Sequence, residues 1–186
     1  VLSSDNKLLR FTASGKPVFT DSIMYISARA FLDVDNYYWI GTQFGLYRYS
    51  KQLGFDSKKA FAPGKHILSA IPVYGLTFYN GLLWAATGNG IACYNRSGTE
   101  QGLPECFTTL KNDVIYSIIP DNQGRLWFTG NKGIGCITVA ENRVVFFNSN
   151  NNLQSLEFNY NASLRTNSGH LYFGGINGLN HINPVS

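Results

Sequence analysis

The chain predicts an all-β fold, a β-propeller fragment of about four four-stranded antiparallel blades, and two observations carry that prediction. A Trp or Tyr followed six residues later by Gly recurs four times, at Trp39/Gly45, Trp84/Gly90, Trp127/Gly133 and Tyr172/Gly178. Successive aromatics lie 45, 43 and 45 residues apart, and a fixed period in that range marks an array of similar supersecondary units. The second observation is the punctuation. There are 19 Gly in 186 residues, with turn signals such as Asp121-Asn122-Gln123-Gly124, Tyr79-Asn80-Gly81 and Asn167-Ser168-Gly169. Helix pairs of the same period are excluded, because they need apolar residues at spacings of three and four with few glycines.

The register within each unit follows from aligning the aromatics. One place before them stand Tyr38, Leu83, Leu126 and Leu171, and two and three places after them come small residues, Gly41-Thr42, Ala86-Thr87, Thr129-Gly130 and Gly174-Gly175. Seven places after them are Leu46, Ile91, Ile134 and Leu179, and ten places after them Tyr49, Tyr94, Ile137 and Ile182. Short β-branched, aromatic and aliphatic runs between turns read as strands joined by hairpins. In order, residues 1–27 read as the outer strands of a preceding blade, at 7–11 and 17–20. Blades then follow at 28–72, 73–112 and 113–157, and 158–186 reads as an incomplete final blade. The third copy is clearest: inner strand 114–119, second strand 126–129, third strand 134–139, a turn at Glu141-Asn142, and outer strand 143–147. Each aromatic is expected to fill the space between blades, and the small residues after it to let the next blade approach. An array that starts and stops inside blades is expected to be part of a larger, seven-bladed ring, since an open arc leaves sheet edges and apolar faces uncovered, with a complete four-bladed ring as the alternative. Such ends also permit a homodimer.

These residues resemble a known family. The run Val114-Ile-Tyr-Ser-Ile-Ile-Pro-Asp121, continuing through Gly124-Arg-Leu-Trp127-Phe-Thr to Gly133-Ile, is similar to the two-component regulator propeller repeat. Tyr38-Trp39-Ile40-Gly41-Thr42 through Gly45-Leu46-Tyr47-Arg48-Tyr49 resembles it more closely. The stretch from Asn152 through Asn161, followed by Tyr172 to Leu179 and Asn183-Pro184, looks like the final blade before a β-sandwich stalk. The copies at Trp84 and Tyr172 depart from the commonest form, with Ala85-Ala86 for Ile-Gly and Tyr for Trp. The resemblance implies the periplasmic half of a hybrid two-component sensor, a membrane-spanning histidine kinase that detects glycan fragments and switches on genes for their breakdown. It also implies that the remaining blades and the stalk of the same chain are partners.

Composition fits an exported domain. No apolar stretch approaches 18 residues and no signal peptide opens the chain, so both features are expected elsewhere in a longer protein. The net charge is +4 with 14% charged residues. Lys51, Lys58, Lys59 and Lys65 gather around one outer strand and read as a dilute solvated face, which argues against nucleic acid. Three cysteines leave at least one unpaired. Cys93 and Cys136 share an offset on adjacent blades. Cys93 and Cys106 read as third and fourth strands of one blade, where either a disulfide or two buried thiols fits.

No catalytic residue, metal site or cofactor motif stands out. His66, His170 and His181 occupy unrelated blade positions, and no HExxH, phosphate loop, CxxC or nucleophile elbow occurs. The alternative enzyme class is the streptogramin-lyase-like propeller, which has a strand like Leu126 to Thr129. That class needs a His and Glu cluster with a divalent metal at the channel mouth, whereas the candidates here are scattered. A structural half-ring without its own ligand site is the other alternative. Binding is expected where loops converge around the channel. The hairpins between second and third strands contribute Gln43, Phe44, Asn89, Asn131, Lys132 and Asn177. The loops entering the inner strands contribute Arg29, Tyr74, Tyr116 and Asn161. Amides and charges suit the hydroxyls of an oligosaccharide, and aromatic rings suit the apolar face of a pyranose. For any single Asn, turn chemistry is the plainer reading.

Overall fold

The structure is a computed structural model that describes residues 7–11, 14, 16–22, 27–51 and 65–185. Strands β1 (Lys7–Phe11) and β2 (Pro17–Ser22) pair as a two-stranded antiparallel sheet. Strands β3 (Ala28–Val34), β4 (Tyr37–Thr42), β5 (Gly45–Ser50) and β6 (Lys65–Ser69) meander in order as a four-stranded sheet. A three-stranded sheet follows, β7 (Val73–Tyr79), β8 (Leu82–Thr87) and β9 (Gly90–Tyr94). Next come β10 (Ile115–Pro120), β11 (Leu126–Gly130), β12 (Gly133–Thr138) and β13 (Arg143–Phe147), again four-stranded. The last sheet contains β14 (Phe158–Arg165), β15 (Leu171–Gly175) and β16 (Gly178–Ile182). This is the all-β propeller arc that the period predicts. The inner strands β3, β7, β10 and β14 touch in succession, and β14 also reaches back to β3.

The repeat aromatics hold one ladder position. Trp39 pairs across the sheet with Arg48, Trp84 with Cys93, Trp127 with Cys136 and Tyr172 with His181. Each tryptophan packs on the following sheet: Trp39 with Leu83, Ala85 and Tyr94, Trp84 with Leu126, Phe128 and Ile137, Trp127 with Leu171 and Phe173. A buried indole must still place its N–H. Trp84 donates to Tyr79 O at 3.2 Å and Trp127 to Asp121 Oδ2 at 2.9 Å, both at the turn that closes the inner hairpin. The glycine six places on is the exit of the second hairpin. Gly133 sits at φ 109°, and a Cβ there would fall 2.3 Å from Phe147 O, so backbone conformation and space both demand glycine.

Two features depart from the sequence reading. The sheet β7–β9 has no fourth strand; its outer position is taken by a 3-10 helix, Glu105–Leu110, that buries Cys106, Phe107 and Leu110. Pro104 cannot donate to a ladder, and the apolar residues after it recur at three and four rather than two. Phe107 stacks on Trp84 with centroids 5.7 Å apart, restoring the cover that a strand would have given. Cys106 therefore does not face Cys93 across a ladder, and all three cysteines are buried free thiols. As for the lysines, Lys51 pairs with Asp33 and donates to Asp35 O, while Lys58 and Lys59 lie outside the described residues.

Burial pushes the thiols of Cys93 and Cys136 up to about 11. A neutral, covered thiol is a poor nucleophile. A thiol-specific chromogenic reagent at pH 8 should therefore leave all three cysteines unmodified in the native chain and titrate three on denaturation; fast labelling of the folded chain would contradict the burial.

The small residues after each aromatic set how closely blades approach. A Cβ on Gly41 would lie 2.7 Å from Val73 Cγ1, and Val73 is fully buried. Gly41→Ala should lower the unfolding free energy by about 1–3 kcal/mol, and Val73→Ala in the same chain should recover part of that loss. Urea unfolding of the two single variants and the double variant measures the coupling, and strict additivity would show that the two positions do not meet.

Candidate functional site

Each inner strand carries an irregularity near its start. The ladder shifts between Ala28 and Ala30, between Val73 and Gly75, between Ile115 and Ser117, and between Phe158 and Ser163. The residues in these gaps are Arg29, Tyr74, Tyr116 and the segment containing Tyr160 and Asn161. A bulge turns its extra residue away from the alternation of the strand, and here the side chains meet at one mouth of the channel. The Arg29 guanidinium lies 5.0 Å from the Tyr74 ring centroid and 5.1 Å from that of Tyr160. Tyr74 in turn meets Tyr116 at 5.9 Å and Tyr160 at 6.2 Å between centroids. Asn161 Nδ2 donates to Arg29 O at 3.4 Å, joining the fourth inner strand to the first.

The bulges are held by a repeated anchor. In each of the four sheets that carry a repeat aromatic, the amide four places after it donates to the carbonyl just before the inner strand: Gln43 to Ser27 O, Gly88 to Pro72 O, Asn131 to Val114 O and Ile176 to Glu157 O, at 3.1, 2.9, 3.3 and 3.2 Å. In the first two sheets a threonine hydroxyl locks the hairpin as well, Thr42 Oγ1 to Gly45 O and Thr87 Oγ1 to Gly90 O. The mouth is thus built on strand ends rather than on free loops.

Of the residues expected to bind ligand, the structure gathers Arg29, Tyr74, Tyr116 and Asn161. It does not gather the hairpin set. Asn89 Oδ1 accepts from Asn112 N at 2.9 Å, tying its hairpin to the loop before β10, and Lys132 pairs with Asp113 Oδ2 at 2.8 Å in that same loop. Gln43, Phe44, Asn131 and Asn177 are exposed on their hairpins, Phe44 at 51%. Tyr160 was missed by the sequence reading. It precedes its second-strand aromatic by twelve residues, where Arg29, Tyr74 and Tyr116 do so by ten, ten and eleven. That drift, produced by the longer irregularity in β14, hides the equivalence.

The histidines also need correction. They read as unrelated, yet His170 Nδ1 and His181 Nε2 lie 2.7 Å apart with their rings stacked, and His181 also stacks on Tyr172. The pair stands on the fourth sheet, on the face carrying Tyr172, and not at the channel mouth. The side chain of His66 lies outside what the structure describes. Among the described residues no group of three or more His, Cys, Asp or Glu could hold a metal ion.

At the opposite end of β10 lies the most perturbed carboxylate. Asp121 is completely buried. Burial acts to raise its pKa, but hydrogen bonds from Trp127 Nε1, the Arg125 amide, the Arg125 guanidinium and the Gln123 amide outweigh it and hold the carboxyl below its usual range. A perturbed group marks a functional site only when it has capacity left for a substrate. Here the donors already fill it, and Arg125 passes the link on to Pro184 O at 2.7 Å. Asp121 is a structural knot between the third and fourth sheets.

The fold is a propeller arc whose inner strands bring one arginine and three tyrosines into one cluster. Residues 109–132 match the family described as two component regulator propeller. No curated protein matches the chain. Among solved structures, it resembles the extracellular domain of the proposed hybrid two-component system BT4673 from B. thetaiotaomicron, at 18% identity and TM-score 0.64, covering 97% of this chain and 22% of that one. The extracellular domain of the proposed hybrid system BT3049 from the same organism gives 18% identity, TM-score 0.58 and coverage of 99% and 33%. PorZ, a surface component of the type-IX secretion system of Porphyromonas gingivalis, gives 16%, 0.65, and coverage of 92% and 28%. The chain thus spans a third or less of these neighbours' lengths, and the likeness is one of fold. No helix among the described residues is long and apolar enough to cross a membrane.

The Asp121 knot has a pH signature. Its folded pKa is depressed, so its contribution is fully present above the unfolded carboxylate value of about 3.9 and is lost as pH falls through the folded value. Asp121→Asn should destabilise the chain by about 2–3 kcal/mol at pH 7. The difference from the parent should shrink below about pH 4. Urea midpoints at both pH values test this, and a gap that does not change with pH would contradict it.

Proposed function

We propose that this chain is a ligand-sensing segment of a hybrid two-component sensor histidine kinase. In this reading it lies in the periplasm, recognises an oligosaccharide, and conveys occupancy to a distant kinase that controls genes for polysaccharide use. The rest of the propeller, a β-sandwich stalk and a second copy of the chain are its structural partners. The observation that carries the reading is the meeting of Tyr74, Tyr116 and Tyr160 beside Arg29 at one mouth of the channel. A tyrosine ring offers an apolar face to the C–H face of a pyranose and a hydroxyl to its rim. The bulges and their anchors give those rings a rigid frame, which limits the ordering cost of binding. The matched repeat and the resemblance to extracellular domains of hybrid systems support the reading at the level of fold. Nucleic acid fits poorly, because a phosphate track needs a row of cations and Arg29 is the one cation in the mouth cluster.

Relay to a kinase requires only that ligand bind one conformation of the intact protein better than another. The first requirement is binding itself. At about one hundred times its dissociation constant, a ligand stabilises the folded state by about 2.7 kcal/mol and raises the melting temperature by roughly 5–10 °C for a chain of this size. Thermal melts across a panel of oligosaccharides should reveal one such class. Tyr160→Ala, at a residue already 56% exposed, should abolish the shift while barely moving the unliganded melting temperature. A panel that leaves the folded chain unmoved would count against the reading.

A further inference from the structure

Arg29 differs from the other arginines whose side chains are described. Arg48 donates to Arg96 O, Arg96 pairs with Asp35, Arg125 with Asp121, Arg143 with Glu141, and Arg165 donates to Pro120 O. The Arg29 guanidinium has no ion pair or hydrogen bond among the described residues, and its Nε is buried without a partner. What surrounds it is aromatic: Tyr74 at 5.0 Å and Tyr160 at 5.1 Å. Ring faces attract a cation but accept none of its five N–H donors in the plane of the fork. A buried polar group left unpaired is costly. Asp113, just before the start of β10, is engaged with Lys132.

We propose that Arg29 is the anion-binding group of the channel mouth and that its ligand is an acidic saccharide, carrying a carboxylate or a sulfate ester next to a pyranose ring. The inference rests on the saccharide reading above and narrows it. A guanidinium presents paired parallel donors that match two oxygens of a carboxylate or sulfate, and such charge-assisted forks are stronger and more directional than neutral hydrogen bonds. Tyr74 and Tyr160 hold the guanidinium against their rings, so little side-chain freedom remains to be lost on binding. Tyr160, the most exposed ring of the cluster at 56%, offers its open face to the sugar. The net charge of +4 favours approach of an anion. A purely structural Arg29, present only to tie the first, second and fourth inner strands together through ring contacts, is the competing account.

The test is calorimetric titration of the chain with three matched disaccharides: one containing a uronic acid, one sulfated, and their neutral parent, with inorganic sulfate as a fourth titrant. One or both acidic disaccharides should bind at least about tenfold more tightly than the neutral one. Their affinity should fall as salt rises from about 0.05 to 0.5 M, because exposed charge is screened. Arg29→Gln should remove the preference while leaving the weak binding of the neutral sugar unchanged. If that variant does not fold, the salt dependence of the parent chain still decides the matter. Equal affinity for neutral and acidic sugars would overturn the proposal and leave the saccharide reading standing. Sulfate binding without any disaccharide binding, or no binding by a folded chain, would overturn both. Arg29→Gln that melts earlier but binds acidic sugar as before would establish the structural account.

Discussion

Everything in this chain depends on one contact made three times: a second-strand tryptophan laid on the second strand of the following sheet. An aromatic side chain of this size removes roughly 200 Å² from water, worth on the order of 5 kcal/mol. Trp39, Trp84 and Trp127 make that contact, and no comparable apolar surface is available within a single small sheet. A three- or four-stranded meander of this length is marginal alone. The array is therefore the folding unit, and the small residues beside each tryptophan are as necessary as the ring. Gly41 shows why, since the space its missing side chain leaves is filled by Val73 of the next inner strand.

That packing also makes the mouth possible. Drawing inner strands together around a channel crowds their starts, and each strand answers with a bulge that turns one residue inward. The amide four places after each aromatic then pins the displaced backbone, as Gln43 does at Ser27 and Ile176 at Glu157. The result is a cluster positioned by main-chain hydrogen bonds, with side chains left to vary. Three of the four bulges present tyrosine and one presents arginine. The backbone fixes where a group stands, and chemistry enters only through which residue occupies the bulge.

The period, the strand order and the equivalence of Trp39, Trp84, Trp127 and Tyr172 were legible because core positions repeat with the backbone. The turn glycines were legible for the same reason. Cys106 misled because a fourth strand was inferred from the period alone. The local run after Pro104 instead carries its apolar residues at helical spacing, and local chemistry won. Tyr160 was hidden because bulge and loop lengths vary between sheets, so offsets counted from the core drift toward the channel. The His170–His181 contact was hidden because the two residues belong to neighbouring strands, with the register fixed only by pairing Tyr172 with His181. Of the candidate residues, those on strand starts meet in one cluster because the bulges repeat with the backbone, whereas hairpin side chains such as Asn89 and Lys132 are engaged by Asn112 and Asp113, in the loop before β10, which no offset within the repeat foretells.

Burial at one repeat position shows how far a residue's environment is set by its neighbours. Seven places after the aromatic, Leu46 and Ile134 are fully buried and Ile91 is 7% exposed, whereas Leu179 is 62% exposed on the fourth sheet. The four residues are chemically alike, so the difference lies in whether another sheet covers the face. The same reasoning applies to the mouth. Arg29 and Tyr160 belong to the first and fourth inner strands, and their 5.1 Å approach is the sum of three sheet-to-sheet steps. A small change in the pitch of any one interface is carried undiminished to that contact, because packed cores transmit strain rather than absorb it. The contact between the arginine and the far tyrosine therefore depends on the packing of all the sheets between them.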